Sequence, residues 1–111
     1  ATDYHGDHTT GASFIEDDVT FFAPEFVYQE VSKGDNAFSK EIFVETLKDL
    51  GHIEEADAII NAPPYLPQVC FKENLILHFP PLTFEIYRKG GHSPACSSVF
   101  VPEEGVLFLE M

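Results

Sequence analysis

The spacing of apolar residues changes once along this chain, at Pro63-Pro64, and that change limits the folds open to it. Upstream, Phe38, Ile42, Phe43, Leu47 and Leu50 recur at steps of three and four, the period of a helix with one buried face. This predicts a helix over 36–50. Asp35 or Asn36 is placed to cap its first amides, and Gly51 to stop it. Ile53, Ala56, Ile59 and Ile60 predict a second, shorter helix over 52–61, ended by the two prolines. Downstream the period falls to two. Segments 69–71 and 75–79 read as a hairpin around Lys72-Glu73-Asn74. Leu75, Leu77 and Phe79 face one way, Ile76 and His78 the other. Further strands are expected over 83–88, 98–101 and 106–109, divided by glycine- and proline-containing turns. A helical half followed by a strand half makes an α+β fold, with two helices packed on one face of a mostly antiparallel sheet.

The segment before the helices is less regular. Val19, Phe21, Phe22, Phe26, Val27 and Tyr28 read as extended, with a break at Ala23-Pro24 where proline cannot donate to a ladder. Residues 1–12 are polar and read as a flexible N-terminal arm or a short edge strand. The organisation expected is therefore an arm, 1–12, and a single α+β domain, 13–111. A length of 111 residues leaves no room for two cores. No apolar run is long enough to span a bilayer. The first residue is Ala1 rather than Met, which tilts the reading toward a secreted or periplasmic protein.

Charge restricts the partners. Nineteen acidic residues stand against six Lys and Arg, for a formal net charge of -13. Nucleic-acid binding runs on cationic side chains that displace counterions, so phosphate backbones are excluded. Anionic lipid surfaces are disfavoured for the same reason. A cationic protein, a metal ion or no partner is left.

Few residues are arranged for chemistry. Cys70 and Cys96 have neither zinc-knuckle nor Cys-x-x-Cys spacing, and stand either as a disulfide or as two buried thiols. There is no Gly-x-Ser-x-Gly elbow and no phosphate-cradling glycine loop. The acidic pairs Glu54-Glu55 and Glu103-Glu104 are adjacent, and adjacent residues on a strand point to opposite faces. The best metal candidate is Asp3-Tyr4-His5-Gly6-Asp7-His8, where imidazole and carboxylate donors suit zinc, nickel or copper. His5 and His8 are its candidate ligands. A loose arm, however, supplies neither fixed geometry nor outer support for them, so no cofactor is expected. His52 is placed to cap the first helix, His78 to be a buried or half-buried, hydrogen-bonded side chain in a strand, and His92 to lie exposed in a glycine loop.

The second half carries a run of motifs: Leu75-Ile-Leu-His-Phe79, Pro80-Pro81, Tyr87, Gly90, then Val99-Phe-Val-Pro102-Glu-Glu104. In these it resembles the extracytoplasmic C-terminal domain of lysozyme-binding bacterial anti-sigma factors and related cell-wall deacetylases. It departs from that pattern at Leu82-Thr-Phe-Glu-Ile86 and in the length of the 91–97 loop. The resemblance implies a non-catalytic domain that binds a basic hydrolase. A surface rich in acids fits the same physics, since it steers a cationic partner into contact.

The function expected is thus a non-enzymatic acidic domain that engages or inhibits a basic protein. That partner is a lysozyme-like hydrolase, or a nuclease toxin countered by a cytoplasmic immunity protein. Glu16, Asp17, Asp18, Glu25, Glu30, Glu103 and Glu104 would form its anionic surface, with Tyr28 and Tyr87 as anchors. The alternatives are a small metal-binding protein or enzyme using the N-terminal His and Asp residues, and a structural oligomerisation domain.

Overall fold

The computed structural model describes residues 1–15, 18–33 and 40–110. In chain order these form α1 (Gly6–Thr9), a 3-10 helix (Thr10–Phe14), β1 (Phe22–Pro24), α2 (Glu25–Ser32), α3 (Lys40–Asp49), α4 (Ile53–Asn61), β2 (Val69–Phe71), β3 (Asn74–Phe79), β4 (Leu82–Arg88), β5 (Ser97–Val101) and β6 (Val106–Leu109). The α+β class and the mostly antiparallel sheet are as expected. Strands β3, β4, β5 and β6 pair in sequence order, each antiparallel to the next. A second, two-stranded sheet joins β1 to β2 in parallel, with Phe22 opposite Val69 and Pro24 opposite Phe71.

That parallel pair corrects the expected hairpin at 72–74. β2 joins β1 and β3 joins β4, so the chain changes sheet between Phe71 and Asn74. The carbonyls of the intervening residues are taken by Arg88. Its backbone N–H donates to Glu73 O at 2.7 Å and its Nε to Lys72 O. With those acceptors occupied from β4, a turn closing β2 on β3 has no ladder to make.

The aromatic segment 19–28 is likewise extended only in part. Pro24 ends β1 and immediately precedes α2, where Glu25 lies in the first turn and offsets the positive end of the helix. Val27 and Val31, four residues apart, are buried on one side of α2, which packs on β1 and β2. The cluster around them contains Ala12, Phe21, Ala23 and Ala95, with Ala1, Tyr4, Tyr65 and Leu66 against its edge.

Helices α3 and α4 pack chiefly on one another. The start expected at 36–39, with Phe38 and the caps Asp35 and Asn36, lies outside the described residues. The buried positions are Val44 and Ala56, while Ile42 and Leu50, assigned above to the inner face, are exposed. The contact face of α3 is therefore rotated from the one the apolar spacing marks. Lys40 Nζ donates to Ala62 O at 2.6 Å and ties the beginning of α3 to the end of α4. Gly51 has φ +86°; its N–H donates to Lys48 O and that of His52 to Leu47 O, which closes α3 with a left-handed C-terminal cap. His52 caps the helix as expected, through its amide.

The N-terminal segment differs most from expectation. Residues 1–12 form neither an arm nor an edge strand. They run into α1 and the 3-10 helix, and the chain is pinned where Ser97 N donates to Thr2 O at 3.0 Å and Ser13 Oγ to Pro63 O at 2.8 Å. Ala1 and Tyr4 pack against the apolar cluster. Apolar contacts and a few hydrogen bonds thus dock a segment whose polar composition reads as solvated.

Register places Leu75, Leu77, Phe84, Ile86, Val99 and Phe108 on one face of the large sheet. That face is apolar but not fully covered, since Phe79 and Phe108 are 57% and 59% exposed. His78 is exposed on the opposite face, against the expectation of a buried or half-buried side chain.

The left-handed cap yields a stability prediction. Gly51→Ala places a Cβ at φ +86° with no steric neighbour to add to the cost, so the substitution lowers stability by about 1–2 kcal/mol from backbone conformation alone. Urea unfolding checks this; an unchanged midpoint would show that α3 does not need the cap.

Candidate metal centre

Three distant segments converge at the N-terminal end of the molecule. The first is the stretch leading into α1, which carries Asp3, His5 and His8. The second is the loop between β4 and β5, which carries His92 and Ser93. The third is the residue following β6, Glu110. The loop turns through Gly90 and Gly91 at φ +69° and +118°, conformations a side chain would strain, and delivers His92 next to His5. The two imidazoles lie 4.8 Å apart between centroids, and Tyr4 stacks on His5 at 4.6 Å.

Asp3 is at the centre and is 0% exposed. Its Oδ1 accepts from Ser93 Oγ at 2.8 Å, Tyr4 N at 2.5 Å and His5 N at 3.4 Å. His5 Nδ1 approaches the same oxygen at 3.1 Å, close enough for electrostatic attraction but not aligned for a hydrogen bond. Asp3 Oδ2 has no hydrogen-bond partner among the described residues. Among the described residues, the buried side-chain nitrogen and oxygen atoms left without a hydrogen bond are Asp3 Oδ2 and His5 Nδ1. Leaving a buried polar atom unpaired costs about 1–3 kcal/mol, more for a charged group.

Two triads follow. In the first, donor atoms of Asp3, His5 and His92 all lie within 4.8 Å of one another; in the second, those of Asp3, His8 and Glu110 do. His5 precedes the first turn of α1 and His8 lies within it, and the amides of His8 and Thr9 both donate to His5 O. This helical turn supplies the fixed geometry that the sequence reading denied to His5 and His8. Ser93, Asp7 and Thr2 supply outer support: Asp7 Oδ2 lies 3.5 Å from His8 Nε2, and Thr2 Oγ1 donates to Glu110 Oε2.

Among the described residues, the acids and aromatics expected to form a docking face lie on separate elements. Glu16 and Asp17 lie outside the described residues, and Asp18 is exposed. Glu25 lines a cleft of about 280 Å³ with Phe26, Lys72, Glu73 and Arg88, so cations stand beside it. Glu30 is paired with Lys33 Nζ at 2.5 Å. Glu103 accepts from Thr83 N at 3.0 Å near the start of β4, which places it roughly 17 Å along the strand from Arg88 and the Glu25 cleft. Glu104 is exposed beside it. Tyr28 is exposed on α2, and the Tyr87 hydroxyl is committed to Glu85.

Both cysteines are free, Cys70 exposed and Cys96 buried. Burial and then the nearby Glu25 push the Cys70 thiol up, away from a reactive thiolate. Of the centre's residues, His92 and Glu110 were not indicated by the sequence reading. The signal available for His92 was its place directly after two glycines.

The Asp3 carboxyl titrates below its ordinary value. Burial raises it, but the Ser93 hydrogen bond, the Tyr4 amide and the adjacent His5 together outweigh burial. A folded-state value below the unfolded one, about 3.9, means the stabilisation is complete above that pH and disappears as pH falls through the folded value. Ser93→Ala should raise the Asp3 pKa followed by carboxyl NMR and cost about 1–2 kcal/mol at pH 7. An unmoved pKa would mean that Ser93 does not hold the carboxylate.

No protein family, curated protein or solved structure matches this chain.

Proposed function

We propose that this protein is a metal-binding protein that takes a divalent transition ion of the zinc class at Asp3, His5 and His92. One observation carries the reading: the two unsatisfied buried side-chain atoms, Asp3 Oδ2 and His5 Nδ1, are on two residues of the same triad. A cation placed between them satisfies both at once. It also explains the nearness of two imidazoles to a carboxylate that is fully buried.

The donor set selects the ion. Two imidazole nitrogens and one carboxylate oxygen suit zinc and its neighbours in the first transition row, whereas magnesium and calcium prefer oxygen throughout. Ser93 orients the carboxylate as the outer partners of metal ligands commonly do. The net charge of -13 favours accumulation of any cation near the surface, but it does not distinguish zinc from magnesium. The triad does. The reading as an acidic domain docking a basic protein rests on composition; the positions of Glu25, Glu30 and Glu103 add nothing to it.

Chelator-stripped protein titrated with zinc in excess magnesium should show saturable uptake by calorimetry. Ligand at a hundred times its Kd should stabilise the fold by about 2.7 kcal/mol and raise the melting temperature. His92→Ala, which changes an exposed side chain, should weaken uptake markedly. Zinc binding no tighter than magnesium, or insensitive to His92→Ala, would overturn the reading.

A further inference from the structure

The second triad has its own construction, distinct from the first except at Asp3. His8 Nδ1 faces Glu110 Oε1 at 3.6 Å, while its other nitrogen, Nε2, faces Asp7 Oδ2 at 3.5 Å. A carboxylate behind an imidazole fixes the ring and its tautomer and raises its basicity, the arrangement found behind histidine ligands of metals. Glu110 is steadied in the same way. Its Oε2 accepts from Thr2 Oγ1, which leaves Oε1 turned toward His8. Asp3, shared by both triads, carries a buried oxygen with no hydrogen-bond partner among the described residues.

One ion cannot use both sets. Zinc lies about 2.0–2.2 Å from nitrogen and oxygen donors, so two donors on one ion are separated by at most about 4.4 Å. The described residues form two groups of three within 4.8 Å, not one group of five. We infer that the protein binds a second divalent transition ion at Asp3, His8 and Glu110, next to the first and sharing the Asp3 carboxylate with it. This inference rests on the metal-binding reading of the first triad.

Charge supports the pair. Two divalent ions that share a ligand repel one another, and sites of this kind surround them with carboxylates. Here Asp3 and Glu110 are ligands, and Asp7 stands directly behind His8. The donors also differ between the positions. The first has two imidazoles and one carboxylate, the second one imidazole and two carboxylates, so the second is the more tolerant of manganese or iron.

The test is the stoichiometry of the whole chain. Stripped protein is equilibrated with zinc alone, bound metal is counted by elemental analysis after dialysis, and cobalt(II) absorption reports the coordination of each equivalent. The wild type should bind two ions, and His8→Ala, Glu110→Gln and His92→Ala one each, with folding checked by circular dichroism. Asp7→Asn, which leaves every ligand in place, should weaken the second equivalent by 10–100-fold and leave the first unchanged. A single equivalent in the wild type, unaltered by His8→Ala, overturns the second site and leaves the first. Two equivalents that persist in both His8→Ala and Glu110→Gln, or an unweakened second equivalent in Asp7→Asn, also overturn it. No uptake by the wild type removes both readings together.

Discussion

An ionised carboxylate cut off from water is stable only if its surroundings replace the hydration it has lost. Asp3 meets that condition on one oxygen and not on the other. Oδ1 is held by a hydroxyl and two backbone amides, and Oδ2 by nothing among the described residues. The placement of this side chain depends on apolar packing and backbone hydrogen bonds made by its neighbours. Ala1 and Tyr4 sit against the apolar cluster on either side of it, and Thr2 joins the start of β5 through Ser97. The same packing that buries Asp3 brings α1 alongside the glycine loop and the end of β6. The hydrophobic cluster and the proposed cation site are in this sense one construction: the first holds the backbone, and the second uses the side chains that remain.

The sheet and the main helices were legible because their signals are local. Alternation in β3 and β4, the short apolar run of β6 and the three- and four-residue spacing in α3 and α4 depend on neighbours within a few positions. What failed was non-local. The contact between β1 and β2 spans more than forty residues and is parallel, and no turn residue announces it. The face that α3 buries is decided by where α4 lies, which moves Val44 inward and leaves Ile42 outside. The segment 1–12 reads as solvated by composition, yet Ala1, Tyr4 and Ala12 dock it on the apolar cluster, together with hydrogen bonds from Ala1 and Thr2.

The centre was legible by the same rule. Asp3, His5 and His8 occur within six residues and stood out as a donor-rich run. Their geometry was misjudged because the docking of that run depends on the apolar cluster. His92 and Glu110 come from the other end of the chain and join it only through the order of the strands: β5 lies beside β6, and Thr2 is bonded to the first residue of β5. Spacing along the sequence carries no trace of such a triad. Of the excess acid, the most visible property of the composition, Glu103 and Glu25 lie by contrast toward opposite ends of β4, and Glu30 is matched by Lys33.

That spread has a use near the far edge of the large sheet. β6 is an edge strand made of Val106-Leu107-Phe108-Leu109, exposed throughout and with no charge of its own. An open row of amides and carbonyls flanked by such side chains invites a neighbouring molecule to extend the sheet. Glu103 and Glu104 stand before it and Glu110 after it, so two copies approaching edge to edge would bring like charges together at both ends of the strand. Acids so placed guard the boundary where self-association of the chain would begin.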